Sequence, residues 1–229
     1  LNKGDKKFLI EKIVCQSESQ YLKLIKQFKE NNAKGWVNFP RRYFSSYQSL
    51  KKHTLRNEIN HMSIVGGDIG LGSNAIHFID LFCWLKNTNL IKITDEFLFK
   101  KKFPNKRSKK FVEFAGTIIG EIGKSSLSIT SIPNSQIPLH VEISYKKYRV
   151  IFDETNNQTI MNNMKKKIVF KNQYVSETST KIIYDILRKD FCDLPTIQES
   201  LIGHKEIFNI FNSHLRKITG KRRTICPIT

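Results

Sequence analysis

The 229-residue sequence is short of acidic residues: 20 Asp and Glu stand against 39 Lys and Arg, a formal net charge of +19 at pH 7. Such an excess suits a polyanionic partner. The lysines, however, run along the whole chain and no nucleic-acid-binding module accompanies them, so the charge reads first as solvated lysine faces. A basic nucleic-acid binder is kept only as the least favoured alternative. The four cysteines, Cys15, Cys83, Cys192 and Cys226, lack C-x-x-C spacing. That argues against a zinc site or any other metal site and against a disulfide framework, and it fits a reducing cytoplasmic setting. No run of 18 apolar residues exists, so no membrane-spanning helix is expected. No charged-then-apolar segment opens the chain, but the first residue is Leu1, and a missing upstream portion is expected. Internal repeats and low-complexity segments are lacking too.

What is present is a core-forming composition, with 39% apolar residues, ample for a packed domain. The first third reads as α/β structure. Phe8–Ile10 is a short strand ending at Glu11-Lys12, and Ser17 caps a helix through about Asn31 with Tyr21, Leu22, Leu24, Ile25 and Phe28 inward. Gly35 is expected to stop that helix, and Trp36–Phe39 to form the next strand. Pro40 and Arg41-Arg42 then lead into a helix from about Tyr43 to Leu55.

After Leu90 the texture changes. Phe111–Glu121, Ser125–Ile132, Pro138–Tyr145, Tyr148–Asp153 and Lys166–Gln173 read as successive strands, with clean alternation in Leu139, Val141, Ile143 and Tyr145. Lys100–Lys110 reads as a loose loop, and helices follow at about Glu177–Asp190 and Thr196–Ile218. One face of this antiparallel sheet packs on helices, and the other is expected to expose large residues unless a second copy covers it.

Between the two parts lies Gly66–Leu85, a glycine-rich loop running into a helix apolar on nearly every side. His77 and Asp80 fall on one face of it, with Ser73 and Asn74 a turn earlier. In the simplest reading His77 and Asp80 satisfy each other in the core. Gly70-Leu71-Gly72-Ser73-Asn74-Ala75 also matches a dinucleotide fingerprint, with Asp95 about 20 residues on. The strands that follow do not continue as βαβ units, so the glycines are assigned to a tight loop and a close helix approach.

The order of strand, Glu11-Lys12, helix, strand, Arg-rich helix, glycine-rich loop and a helix with His77-x-x-Asp80 resembles the Gfo/Idh/MocA family of NAD(P)-dependent oxidoreductases. The strand-rich second part with its closing helices resembles that family as well. The resemblance implies an α/β (α+β) fold: the C-terminal end of a Rossmann domain, residues 1–39, followed by an open, mostly antiparallel sheet packed with helices, residues 40–229. The 40–229 part would bind substrate and mediate homo-oligomerisation through the sheet. It further implies NAD or NADP as cofactor, Glu11 and Lys12 at the cofactor, and hydride transfer to or from a sugar, polyol or nucleotide-linked sugar. By itself the fragment would be inactive.

Lys12 and His77 are the implied catalytic residues, for a carbinol or carbonyl needs a group that takes or gives the hydroxyl proton. A desolvated Lys12 would have a lowered pKa, and a histidine titrates near neutrality unaided. Asp80 would orient His77, Arg41 and Arg42 would grip an anionic substrate group in a two-pronged contact, and Asn38 and Asn74 are amide candidates for sugar hydroxyls. Two departures from the family pattern stand out: Ile13 replaces the usual proline, and Ser73 the usual aspartate. They leave open a non-catalytic α/β binding or oligomerisation subunit.

Overall fold

A computed structural model describes residues 6–54, 58–105, 107–156, 158–162 and 175–229. Strands β1 (Lys6–Ile10) and β2 (Ala33–Val37) pair in parallel, joined by α1 (Glu18–Glu30). Parallel neighbours need such a crossover. Ser17 starts the helix as expected, its hydroxyl accepting the Gln20 N–H at 3.3 Å. Tyr21 and Phe28 are buried beneath it, whereas Leu22, one position round the helix from Tyr21, is 49% exposed. Gly35 does not end the helix. Asn32, with φ 47°, turns the chain, and Gly35 lies inside β2, where a Cβ would come 2.5 Å from the Phe28 ring. The missing side chain lets the strand pass close under the helix.

A 3-10 turn (Pro40–Tyr43) leads to α2 (Ser45–Thr54); Leu55, the expected end of that helix, lies outside the described residues. β3 (Ile59–Gly67) then feeds α3 (Leu71–Leu85), which is buried around most of its circumference, as its uniform apolarity requires. Next come β4 (Lys92–Leu98), β5 (Phe103–Pro104), β6 (Val112–Glu113), β7 (Gly116–Ile122), β8 (Ser125–Ile132), β9 (His140–Tyr145), β10 (Arg149–Asp153) and β11 (Gln158–Asn162). Helices α4 (Val175–Lys189) and α5 (Ile197–Thr219) close the chain, the second begun by a capping box between Thr196 and Glu199.

Among the described residues seven strands form one sheet, in the order β11-β10-β9-β3-β8-β7-β4, and only β3 and β8 run parallel. The expected antiparallel sheet is therefore present, with three differences. The single strand expected over Phe111–Glu121 breaks into β6 and β7 at Phe114-Ala115, because Gly116, with φ 114°, turns where any Cβ would meet the Phe97 carbonyl at 2.2 Å. β4 had no clean alternation, and its register shifts between Ile93 and Asp95. β11 pairs with β10, while the whole of the strand expected over Lys166–Gln173 lies outside the described residues.

Helix α3 packs on β8 and α5 on β4 and on α3, and Met62, Ile64, Leu127, Ile129, Val141 and Ile143 are buried in the core they share. The sheet face opposite this core carries exposed large residues towards its margin, Phe97 at 63% and Ile132 at 38%, as expected, beside rows that are small and polar. His61 bonds the Ser126 and Ser128 hydroxyls at 2.7 and 3.1 Å, and Thr117 meets Thr130 at 2.9 Å. Alternation that buries isoleucine on one side here places serine and threonine on the other. Among the described residues no helix is long and apolar enough to cross a membrane.

Candidate active site

Lys12 stands just beyond the carboxyl end of β1, where ligand sites of α/β sheets lie. Its side chain is nearly buried, 9% exposed, and Nζ donates to the Ser73 carbonyl at 2.5 Å. The preceding Glu11 accepts from Asn38 Nδ2 at 2.7 Å, and the Asn38 N–H donates to the Ile10 carbonyl at 2.8 Å, so β1 and the residue after β2 are tied together behind the lysine. The Lys12–Ile13 peptide is cis. The Lys12 pKa is brought down to about 8, by burial first and then by Arg107 and Arg41, against the opposing pull of Glu113 and Glu11. A cavity of about 440 Å³ opens in front of it, lined by Lys12, Ser73, Asn74, Arg107, Glu113 and Asn134 among others.

The first turn of α3 forms one wall. Glu113, from β6, accepts the Ser73 N–H at 3.2 Å, the Ser73 hydroxyl, the Gly72 N–H and Asn105 Nδ2 at 2.9 Å. A Cβ at Gly70 or at Gly72 would come 2.9 Å from this carboxyl group. The glycines that imitate a phosphate fingerprint therefore make room for an internal carboxylate, which occupies the positive end of the helix. Burial nevertheless raises the Glu113 pKa, against the pull of these donors. Asn74, beside it, uses Nδ2 on the Ile69 carbonyl.

The expected partnership of His77 and Asp80 is replaced by another. Asp80 takes Arg42 in a two-pronged pair, at 2.7 Å from Nη2 and 2.9 Å from Nε, with both side chains buried. Asp80 thus orients Arg42 rather than His77. Arg41 is likewise held by Glu154, at 2.8 Å from Nε and 2.6 Å from Nη2, with its guanidinium 4.4 Å above the Phe78 ring and Tyr47 donating to the same carboxylate at 2.6 Å. Both arginines were expected to grip a substrate anion. Each instead neutralises a carboxylate of the fold, which a buried charge requires.

His77 packs edge-on to Phe39, ring centres 5.4 Å apart, and its Nδ1 is buried without a hydrogen-bond partner. Burial pushes its pKa well below the ordinary value of 6.5, and Arg41, Lys12, His204 and Arg107 push it further, so the ring is neutral at pH 7. Its expected titration near neutrality is thereby corrected, and Lys12 is the group that titrates closer to neutrality.

The structure brings Lys12, Ser73 and Asn74 to one cavity. It keeps Asp80, Arg41 and Arg42 in internal pairs and Glu11 and Asn38 in a support behind the lysine. Glu113 and Arg107 were not foreseen. A lone acid between Val112 and Phe114 was the signal for the first; the second was hidden among the lysines of the 100–110 loop.

No protein-family model and no curated protein matches the sequence. Solved structures match in fold. A Gfo/Idh/MocA family oxidoreductase from Vibrio cholerae is 16% identical, with a TM-score of 0.67 over 92% of this chain and 71% of that one. KijD10, a 3-ketoreductase from Actinomadura kijaniata in complex with NADP, is 11% identical, with a TM-score of 0.66 over 87% and 67%. The UDP-N-acetylglucosamine 3-dehydrogenase GnnA from Acidithiobacillus ferrooxidans is 12% identical, with a TM-score of 0.62 over 93% and 69%. This chain has the mixed α/β fold of the Gfo/Idh/MocA oxidoreductases.

Proposed function

We propose that the chain is the substrate-side part of an NAD(P)-dependent oxidoreductase that transfers a hydride to or from a sugar, polyol or nucleotide-linked sugar. Residues 1–39 are then the end of a dinucleotide-binding domain and 40–229 a substrate-binding and oligomerisation domain. The observation that carries this reading is Lys12, with its pKa near 8, at a strand end facing a cavity of about 440 Å³. The reductase and dehydrogenase that share the fold act, by their names, on a keto group and on a nucleotide sugar.

In this reading Lys12 takes the hydroxyl proton when a carbinol is oxidised and returns it when a carbonyl is reduced. His77 serves as a neutral hydrogen-bonding group on the substrate side, Asn74 and Arg107 face the substrate, and the hydroxyl-lined sheet face pairs with a second copy. The glycine-rich start of α3 is not a cradle for the diphosphate of NAD or NADP. The first turn of α3 carries Glu113, and α1 is capped by its own Ser17. Cofactor contact is assigned to the strand end, through Lys12 with Glu11 supporting it from behind, and we assign no turnover to residues 1–229 alone.

The test is nicotinamide-dependent turnover by the complete protein against a panel of sugars, polyols and nucleotide-linked sugars in both directions. Turnover of at least one of these classes is expected. A folded complete protein that turns over none of them with either cofactor contradicts the reading.

A further inference from the structure

Two groups of opposite charge that are almost removed from water line the same cavity, and one residue joins them. Lys12 and Glu113 are each 9% exposed. A carboxylate on an apolar strand is costly there unless it is compensated. The compensation is built from the backbone, through the Gly72 and Ser73 amides, the Ser73 hydroxyl and Asn105, in a space that exists because Gly70 and Gly72 have no Cβ. A helix cap alone would explain those bonds. It does not explain why the capped residue is Ser73, whose carbonyl receives Lys12 Nζ at 2.5 Å.

We propose that Glu113 is the positioning residue of Lys12: through Ser73 it fixes where Nζ stands in the cavity, and its carboxylate holds the lysine proton against the cations around it. The inference rests on the reading of Lys12 as the proton-transfer group and deepens it. The groups that act electrostatically on Lys12 are Arg107 from the 100–110 loop, Arg41 from the 3-10 turn, Glu113 from β6, and Glu11 on its own segment. The rings of His77 on α3 and His204 on α5 are near enough to feel Lys12 in turn. Both rings have lowered pKa values and are neutral at pH 7, so among the described residues the charges that offset the two arginines are Glu113 and Glu11. Removing the Glu113 charge leaves Lys12 facing Arg107 and Arg41 with Glu11 alone, and its proton leaves at lower pH.

The experiment follows the Lys12 Cε resonance against pH in lysine-labelled complete protein, with Lys12→Met identifying the signal. The wild-type midpoint is expected near 8. Glu113→Gln lowers it by about one unit or more, the scale of losing a close opposite charge, and Arg107→Gln, at an exposed position, raises it. A midpoint that rises in Arg107→Gln and stays in place in Glu113→Gln overturns the proposal. Coupling between two sites is reciprocal, so Lys12→Met must also raise the pH at which the Glu113 carboxyl titrates. An unchanged Glu113 titration in that variant overturns the proposal even where Glu113→Gln does not fold. The underlying reading fails in a different way: if Lys12 is not the proton-transfer group, these midpoints still move while the pH dependence of turnover does not follow them.

Discussion

Lys12 and Ser73 meet across 61 positions of sequence, the lysine Nζ donating to the serine carbonyl at 2.5 Å. That bond joins the end of a parallel strand to the first turn of a buried helix, and it aims a lysine at a cavity. The same helix end is closed to outside anions by Glu113. Lys51, whose pKa is also lowered to about 8, lies away from this cavity, so of these two amines Lys12 is the one set in the same cavity as a carboxylate.

The Arg42–Asp80 pair holds the 3-10 turn against α3. Asp80→Asn leaves a guanidinium buried without its counter-charge, and a loss of about 3–5 kcal/mol in urea unfolding is expected. Glu30→Gln, which breaks the exposed Lys26–Glu30 contact, is expected to cost less than about 1 kcal/mol. Arg42→Met with Asp80→Leu should recover much of the Asp80→Asn loss, since paired hydrophobic replacements of a buried ion pair are often neutral. Equal costs for Asp80→Asn and Glu30→Gln would mean that the pair does not hold the turn.

Gly72 offers a test in which propensity and packing disagree. Alanine in a helix is favoured over glycine by about 1 kcal/mol. Here its Cβ would lie 2.9 Å from Glu113 Oε2 and 3.0 Å from the Val112 carbonyl oxygen. Gly72→Ala is therefore expected to destabilise by about 1–3 kcal/mol in thermal or urea unfolding, and the cost should shrink in a Glu113→Ala background. A stabilised Gly72→Ala would refute the carboxylate cradle.

The parts of this site that were legible in the sequence are those set by local rules. The Ser17 cap, the helix start near Thr196 and the alternation of Val141 and Ile143 each follow from a few neighbouring residues. Lys12 was visible as a candidate because it sits at a strand end, whereas Ser73 was noted only as standing in place of an aspartate. The partner of Asp80 was not visible, because helical spacing pointed to His77 and the actual partner, Arg42, comes from 38 positions away. Gly35 looked like a helix stop by position, and only the Phe28 ring above it shows why a strand needs it. Glu113 was submerged in a stretch whose alternation was all that was read.

The two neutral imidazoles near Lys12 set an acid limit on stability. His77 and His204 both have lowered folded pKa values, through burial first, His204 at about 4 against an ordinary 6.5. Below pH 6.5 the unfolded chain binds protons at these positions that the folded chain does not, so stability falls as the pH drops from 6.5 towards 4. His77→Asn is expected to flatten part of this fall in urea unfolding at pH 7, 6, 5 and 4, and to leave the pH dependence of turnover between 6 and 8 in place. Loss of a turnover limb between pH 6 and 8 in His77→Asn would return the histidine to the role of a titrating acid or base.

The most direct measurement is turnover of Lys12→Met against wild type in the complete protein, taken across pH in the carbinol-oxidising direction. Wild-type turnover is expected to rise with pH through a limb near 8, as the lysine loses its proton. The variant is expected to lose that limb and to be slower by about 10²-fold or more, the scale of one missing acid or base. A Lys12→Met protein that folds, keeps near-normal turnover and retains the limb would contradict the account.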